Sequence, residues 1–282
     1  IIMHSKVIIV STLKACSNTQ ALDNGHVVHD HAVQCGYESD LNIGTSLVDM
    51  YAKCGSLVDA FYVFDSLPHQ NVVSWGALIG GFVEHDQSLS ALLLFDIMEG
   101  SGIVPNGVIF LNLMRACSNL GSCSYSRLIH DKIIRCGIAL DVVAGSTLVD
   151  MYAKCERPEA AHKVFQMLQE RNVVSWSALI GAYARSGMCL GVESCLENMQ
   201  KEGIEPDKVI LTSMLTAYTH AGLLEKGQQF FSILIRRCKV KGPSESHFNG
   251  MIDLLCRGGC LDEANDMITS IPTLPDSTGW KA

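Results

Sequence analysis

The 12 cysteines and 10 histidines carry most of this 282-residue chain's capacity for chemistry, which would be metal ligation or nucleophilic attack. The nearest clusters are Cys256 with Cys260, and His26 with His29 and His31, and neither has a convincing ligand spacing. No Cys-x-x-Cys and no His-x-Glu occurs, so the metal ligands and the proton shuttle of a zinc deaminase are both missing. There is also no Gly-x-Ser-x-Gly, no phosphate-cradling glycine loop, and no carboxylate pair outside solvated helix faces. Core thiols and surface or groove-side imidazoles are the better explanation. The chain is expected to have no intrinsic enzyme activity, no cofactor and no metal.

The elements that position these residues are repeats. Val48-Asp-Met-Tyr-Ala-Lys-Cys54 recurs letter for letter at Val149 to Cys155, 101 residues later. Ala15-Cys16-Ser17-Asn18 returns as Ala116-Cys117-Ser118-Asn119, and Asn71-Val-Val-Ser-Trp75 as Asn172-Val-Val-Ser-Trp176. Alignment on the first apolar helix divides the chain into 6–40, 41–71, 72–106, 107–141, 142–172, 173–207, 208–244 and 245–276, the first three of 35, 31 and 35 residues. A self-similar chain of this kind reads as a stacked array, here one domain over 1–282.

Unit 41–71 shows the plan. Leu47, Val48, Tyr51 and Cys54 lie at helical spacing, and Gly55 can take the left-handed conformation that ends a helix. Ser56 is placed to cap a second helix with Asp59 three residues on, and Ala60, Phe61, Phe64 and Leu67 form its apolar stripe before Pro68. The later copy has Glu156 in place of Gly55 and Pro158 in the first turn of its second helix. Two helices of about three turns cannot bury their stripes alone. The expected fold is an all-α, right-handed α-solenoid of about eight helix-turn-helix repeats.

Hydrophobic residues make up 48% with only 7 prolines, ample for a continuous core. Cys16, Cys35 and Cys54 recur at Cys117, Cys136 and Cys155 within apolar stripes, which fits buried thiols in a reducing compartment. A net charge of −8 argues against a broad polyanion-binding surface, so any nucleic-acid site must be local. No stretch reaches the roughly 18 apolar residues of a membrane span, and Ile1 to Val10 lacks a signal-peptide or transit pattern. The abrupt start and the ending Gly279-Trp280-Lys281-Ala282 read as a fragment of something longer.

The sequence resembles the pentatricopeptide repeat family over residues 6–276, specifically the plant subclass in which long, short and standard repeats alternate. The motifs are Leu-Val-Asp-Met-Tyr-Ala-Lys-Cys-Gly at 47–55, Asn-Val-Val-Ser-Trp at 71 and 172, Gly-Ile-Glu-Pro-Asp at 203–207 and His-Phe-Asn-Gly-Met-Ile-Asp-Leu-Leu-Cys-Arg at 247–257. The resemblance implies binding of single-stranded RNA in a mitochondrion or chloroplast. The last two units resemble the pair preceding the C-terminal extension of editing factors, and 277–282, with Thr-Gly-Trp-Lys at 278–281, looks like its start. Tetratricopeptide repeats share the helical-pair plan but place other residues at the turn.

In the resembling family the fifth and last residues of a unit face the groove together, and the second contacts base faces. The pairs are then Thr45 with Asn71, Ser146 with Asn172, Ser177 with Asp207 and Asn249 with Asp276; Thr212 with Ser244 is polar but less well defined. Asp only accepts and suits guanine or uracil, whereas an Asn amide can donate to adenine N1 or cytosine N3. With a small hydroxyl at the fifth position going with purine, the units spell adenine, adenine, guanine, then uracil or cytosine. Long units place Val10 and Leu111 at the fifth position, and Gly76 opposite Asn106 departs from the pattern, so those units are assigned to spacing. Helix capping is the competing role for the polar residues.

Val73, Val143, Val174 and Val209 occupy second positions, to sandwich bases or to pack against the neighbouring unit. Lys53, Lys154, Arg185 and Arg257 occupy thirteenth positions, as phosphate contacts or as complements to helix dipoles, with Glu84 breaking the line. The expected function is sequence-specific reading of single-stranded organellar RNA by a monomer, as the address part of a cytidine-to-uridine editing or processing factor. A deaminase would come from a C-terminal region beyond Ala282 or act in trans. The alternative is a protein-interaction scaffold, binding accessory editing factors or peptides.

Overall fold

The computed structural model describes residues 5–37, 39–237 and 244–270. Among these residues there are sixteen α-helices and no strand, the all-α helix-pair solenoid class that the repeats require. The chain forms two compact units, Ile1–Ala139 and Leu140–Ala282.

The first unit holds α1 (Lys6–Thr19), α2 (Leu22–Gln34), α3 (Leu41–Lys53), α4 (Leu57–Ser66), α5 (Val72–Glu84), α6 (Ser88–Gly100), α7 (Gly107–Leu120) and α8 (Cys123–Arg135). The first helices of successive pairs stack in one row, α1 on α3, α3 on α5 and α5 on α7. Each second helix packs on the first helices flanking it, and among the described residues no second helix brings its Cα atoms within 8 Å of another's. The second helices α6 and α8 are joined instead by the ion pair of Glu99 with Lys132.

The second unit repeats the plan with α9 (Val142–Lys154), α10 (Pro158–Met167), α11 (Val173–Arg185), α12 (Cys189–Lys201), α13 (Lys208–Ala221), α14 (Leu224–Arg237), α15 (Glu245–Arg257) and α16 (Leu261–Ser270). Its row runs α9, α11, α13, α15. Across its second helices Glu193 accepts from Lys226, and Glu263 from Gln228.

The recurring letters buy recurring contacts: Phe64 meets Trp75 edge-on with ring centroids 4.6 Å apart, and Phe165 meets Trp176 likewise at 4.5 Å. Each pair joins a second helix to the next first helix and adds about 0.5–1.5 kcal/mol beyond area burial. Val48, Leu78, Leu148, Leu179 and Leu215 are fully buried along the two rows.

The turn within each pair keeps its geometry through both copies. Gly55 has φ 84° and Glu156 has φ 56°, so the glutamate takes the left-handed conformation that glycine adopts freely. Pro158 stands in the first turn of α10. Ser56 differs from its expected role as a side-chain cap: its oxygen accepts from no helix N–H, and its hydroxyl instead donates to the Asp59 carboxylate at 2.5 Å. The thiols also divide. Cys16, Cys117 and Cys155 are buried, Cys35 and Cys54 half-buried, and Cys136 exposed; Cys35, Cys54, Cys136 and Cys155 are all C-cap residues, and of these four Cys155 alone is buried. No helix among the described residues is long and apolar enough to cross a membrane.

Candidate nucleic-acid interface

The first helices start at Lys6, Leu41, Val72, Gly107, Val142, Val173, Lys208 and Glu245, so the residue before each is an N-cap. Asn71 Oδ1 accepts from the backbone N–H groups of Val73 and Ser74, and Ser74 returns a hydroxyl to the Asn71 backbone N–H, closing a capping box. Asn172 repeats this with Ser175 at 2.9 Å. Asn106 Oδ1 accepts from Ile109, and Asp207 Oδ1 from Ile210. Capping therefore occupies one oxygen of each residue. What remains is the amide Nδ2 of the three asparagines and the second carboxylate oxygen of Asp207. The capping bond also fixes which way each amide points, leaving Asn a donor and Asp an acceptor.

Asp40 and Asp141 hold the same position in the long units, a regularity that the sequence displays once the units are aligned. Asp40 is occupied twice over. Its Oδ1 caps α3, its Oδ2 accepts from Lys6 at 2.5 Å, and the Lys6 hydrogen bond holds the carboxyl below the usual aspartate range.

Fifth-position residues lie on the first helices and differ in what they leave open. The hydroxyls of Thr45 and Ser177 are buried and have no hydrogen-bond partner among the described residues. Ser146 is buried and donates to Val142 O at 2.6 Å, and Thr212 donates to Lys208 O. Asn249 is exposed on α15, and Ser244 meets His247 at the start of that helix. Asp276 lies outside the described residues.

The second-position valines are 59% exposed at Val73, 57% at Val143, 58% at Val174 and 52% at Val209. Residues packed against a neighbouring unit would be buried, so these present apolar faces outward. Val108, in the same position of its unit and not picked out from sequence, is 57% exposed.

Three of the thirteenth-position cations are already paired one turn back: Lys53 with Asp49 at 2.9 Å, Lys154 with Asp150 at 3.0 Å and Arg257 with Asp253 at 3.0 Å. Arg185 has no such carboxylate, and among the described residues it forms no ion pair. In a net-acidic chain these pairs leave the row close to neutral before anything binds.

In the first unit these positions converge on an open groove of about 560 Å³ along α1, α3, α5 and α7. Thr45, Lys53, Val73, Gly76 and Asn106 line it, together with Val10 and Lys14 from α1. Sequence reasoning missed Lys14, Asp49 and Asn112 on the same face. Exposed valines alternating with single donors suit flat groups whose faces are apolar and whose edges are polar.

The three clustered histidines are engaged structurally. His26 and His29 both place Nδ1 near the Tyr51 hydroxyl, at 3.0 and 2.9 Å, and His31 lies 3.6 Å from the Cys35 sulfur. No group of three metal-ligating side chains converges among the described residues.

The family model for the PPR repeat matches residues 45–72, 73–103, 146–173, 174–204, 209–238 and 246–271, more than half of the chain. A mitochondrial pentatricopeptide repeat-containing protein of Arabidopsis thaliana is 35% identical over 96% of this chain and 39% of its own length. A chloroplastic one from the same plant is 36% identical over 96% of this chain and 37% of its own. The chain thus spans under half the length of these relatives. Among solved structures, the pentatricopeptide repeat protein PPR10 in complex with an 18-nt psaJ RNA element aligns with a TM-score of 0.78 at 19% identity, covering 88% of this chain and 37% of that one, a likeness of fold.

Proposed function

This chain belongs to the pentatricopeptide repeat family, and we propose on that premise that it binds single-stranded RNA, reading about one base per readable unit. The supporting observation is the division of labour at Asn71, Asn172 and Asp207, where one oxygen caps a helix and the remaining polar atom is left to meet a base edge. Asn offers N–H to adenine N1 or cytosine N3, and Asp accepts from guanine or uracil N–H. Thr45, Ser146 and Ser177 favour purine beside them, which gives adenine, adenine and guanine for units 41–71, 142–172 and 173–207. Thr212 with Ser244, and Asn249 with Asp276, continue the series. The outward valines at 73, 143, 174 and 209 sandwich the bases, and Lys53, Lys154, Arg185 and Arg257 contact phosphates.

The finer reading is a member of the plant subclass with long, short and standard repeats, acting in a mitochondrion or chloroplast as the address part of a cytidine-to-uridine editing or processing factor. The amino end faces the RNA 5′ end. Mitochondrial and chloroplastic labels on the relatives support an organelle. The deaminase chemistry lies in another region or another chain. A scaffold reading is favoured at one place, where Val10 presents an apolar side chain to the groove.

The deciding measurement is titration of RNA carrying adenine, adenine and guanine at repeat-matched positions against a scrambled RNA at fixed, physiological salt, since nonspecific binding is salt-driven. Tighter binding of the matched RNA is expected. Equal affinities end the base assignment.

A further inference from the structure

Unit 72–106 has no side chain at its fifth position, Gly76, and the family pattern leaves it without a reader. The groove offers a replacement from the neighbouring helix. Asn112 on α7 lies against α5 so closely that a Cβ placed on Gly80 would stand 2.9 Å from its Nδ2. The amide occupies the notch left by Gly80 and makes no hydrogen bond among the described residues, although it faces a groove that Gly76, Val73, Val108 and Asn106 also line. One block later the arrangement is reversed. Ser177 supplies the fifth-position hydroxyl, and the counterpart of Asn112 is Ser213, whose hydroxyl is turned onto Val209 O. The long amide is present where the fifth side chain is missing, and replaced by a short one where it is present.

We propose that Asn112 takes over the missing reading position and that unit 72–106 recognises adenine, an inference that rests on the RNA-binding reading above. Asn106 Oδ1 is held by Ile109 N–H at 3.1 Å, which leaves its Nδ2 to donate to adenine N1. Asn112 Oδ1 then accepts from the adenine N6 amino group. Guanine presents N–H at N1 to the Asn106 donor and a carbonyl at O6 to the Asn112 acceptor, and both contacts are repulsive. Cytosine has the right polarity, but its single ring does not fill the space opened by Gly76. Val73 and Val108, both more than half exposed, cover the two faces of the base.

The test uses the whole chain and RNAs matched at every other readable unit, with the base opposite unit 72–106 varied through adenine, guanine, cytosine and uracil. Adenine is expected to bind about tenfold or more tighter than guanine, the scale of one well-made bidentate contact. Asn112→Leu, similar in volume and without hydrogen bonding, should erase that preference while leaving the guanine preference opposite unit 173–207 intact. Gly80→Ala should erase it too by pushing the amide out of its notch, and because alanine favours helix over glycine, unfolding would not account for the loss. Equal binding of all four bases at this position, or a preference surviving Asn112→Leu, overturns the assignment of Asn112. If the control position opposite unit 173–207 is also indifferent, the RNA-reading proposal falls, and this one with it.

Discussion

Trp176 donates its indole N–H to Glu202 at 3.2 Å, while its counterpart one block earlier, Trp75, buries the same nitrogen with no partner among the described residues. The difference lies in two neighbours. Glu202 also accepts from Arg171 at 2.6 Å, and that guanidinium sits 4.9 Å over the Phe165 ring; Ser101 and Gln70 stand in those places in the first block. Arg171 and Glu202 are each about a third exposed, so screening keeps the ion pair weak and the indole bond dominates. Glu202→Ala should lower stability by about 1–3 kcal/mol, the cost of an unmet buried donor. Urea titration with hydrogen exchange across α11 and α12 measures it. Ser101→Glu with Gln70→Arg should raise the stability of the first unit.

Asn172 separates holding a helix from presenting a polar atom. Asn172→Asp keeps the capping oxygen and replaces the free amide by a carboxylate oxygen, so the thermal midpoint should hold while base preference at that unit moves from adenine towards guanine. Asn172→Ala loses both and should cost about 1 kcal/mol. Competition between RNAs differing only at that base reads the first effect, and calorimetry the second. Preference unchanged in Asn172→Asp would leave capping as its sole role.

Arg185 is the thirteenth-position cation without a carboxylate one turn back, so the phosphate contact proposed for it would break no ion pair. Arg185→Ala should reduce the slope of log affinity against log salt by about 0.7, one single-strand phosphate contact. Asp150→Asn releases Lys154 and should raise affinity and steepen the slope. Binding isotherms at several salt concentrations test both.

Glu156 holds a left-handed turn at φ 56° that Gly55 makes without a steric cost. Left-handed backbone costs a side-chain-bearing residue about 1–2 kcal/mol, partly offset by the greater unfolded-state freedom of glycine. Glu156→Gly should therefore stabilise the second unit by up to about 1 kcal/mol. Thermal melts compare the variants directly.

The helix pairs were legible because periodicity and cap signals act within a few residues, and the 101-residue offset showed that those signals recur. Glu156 and Pro158 announced a turn kept by other means. The state of each polar group was not legible. Ser146 and Ser177 occupy the same position of their units, yet one donates to its own helix and the other has no hydroxyl partner among the described residues, a difference that position within the unit does not encode. Asn112 escaped notice because its closeness to Gly80 is a contact between units, and no spacing within a unit encodes it. Cys35 and Cys136 looked like stripe residues until the helix ends placed them as C-caps.

The two edges of each stack are held by different forces. First helices lean on one another through buried side chains, whereas the backbones of the second helices stand apart and are laced by solvent-facing bridges such as Glu193 with Lys226. Apolar contact responds weakly to ionic strength and exposed charge responds strongly. Each unit is thus a spine to which second helices are fastened on both sides by apolar contact: added electrolyte removes only the minor tie between neighbouring second helices, and the interval between successive modules along the spine stays fixed.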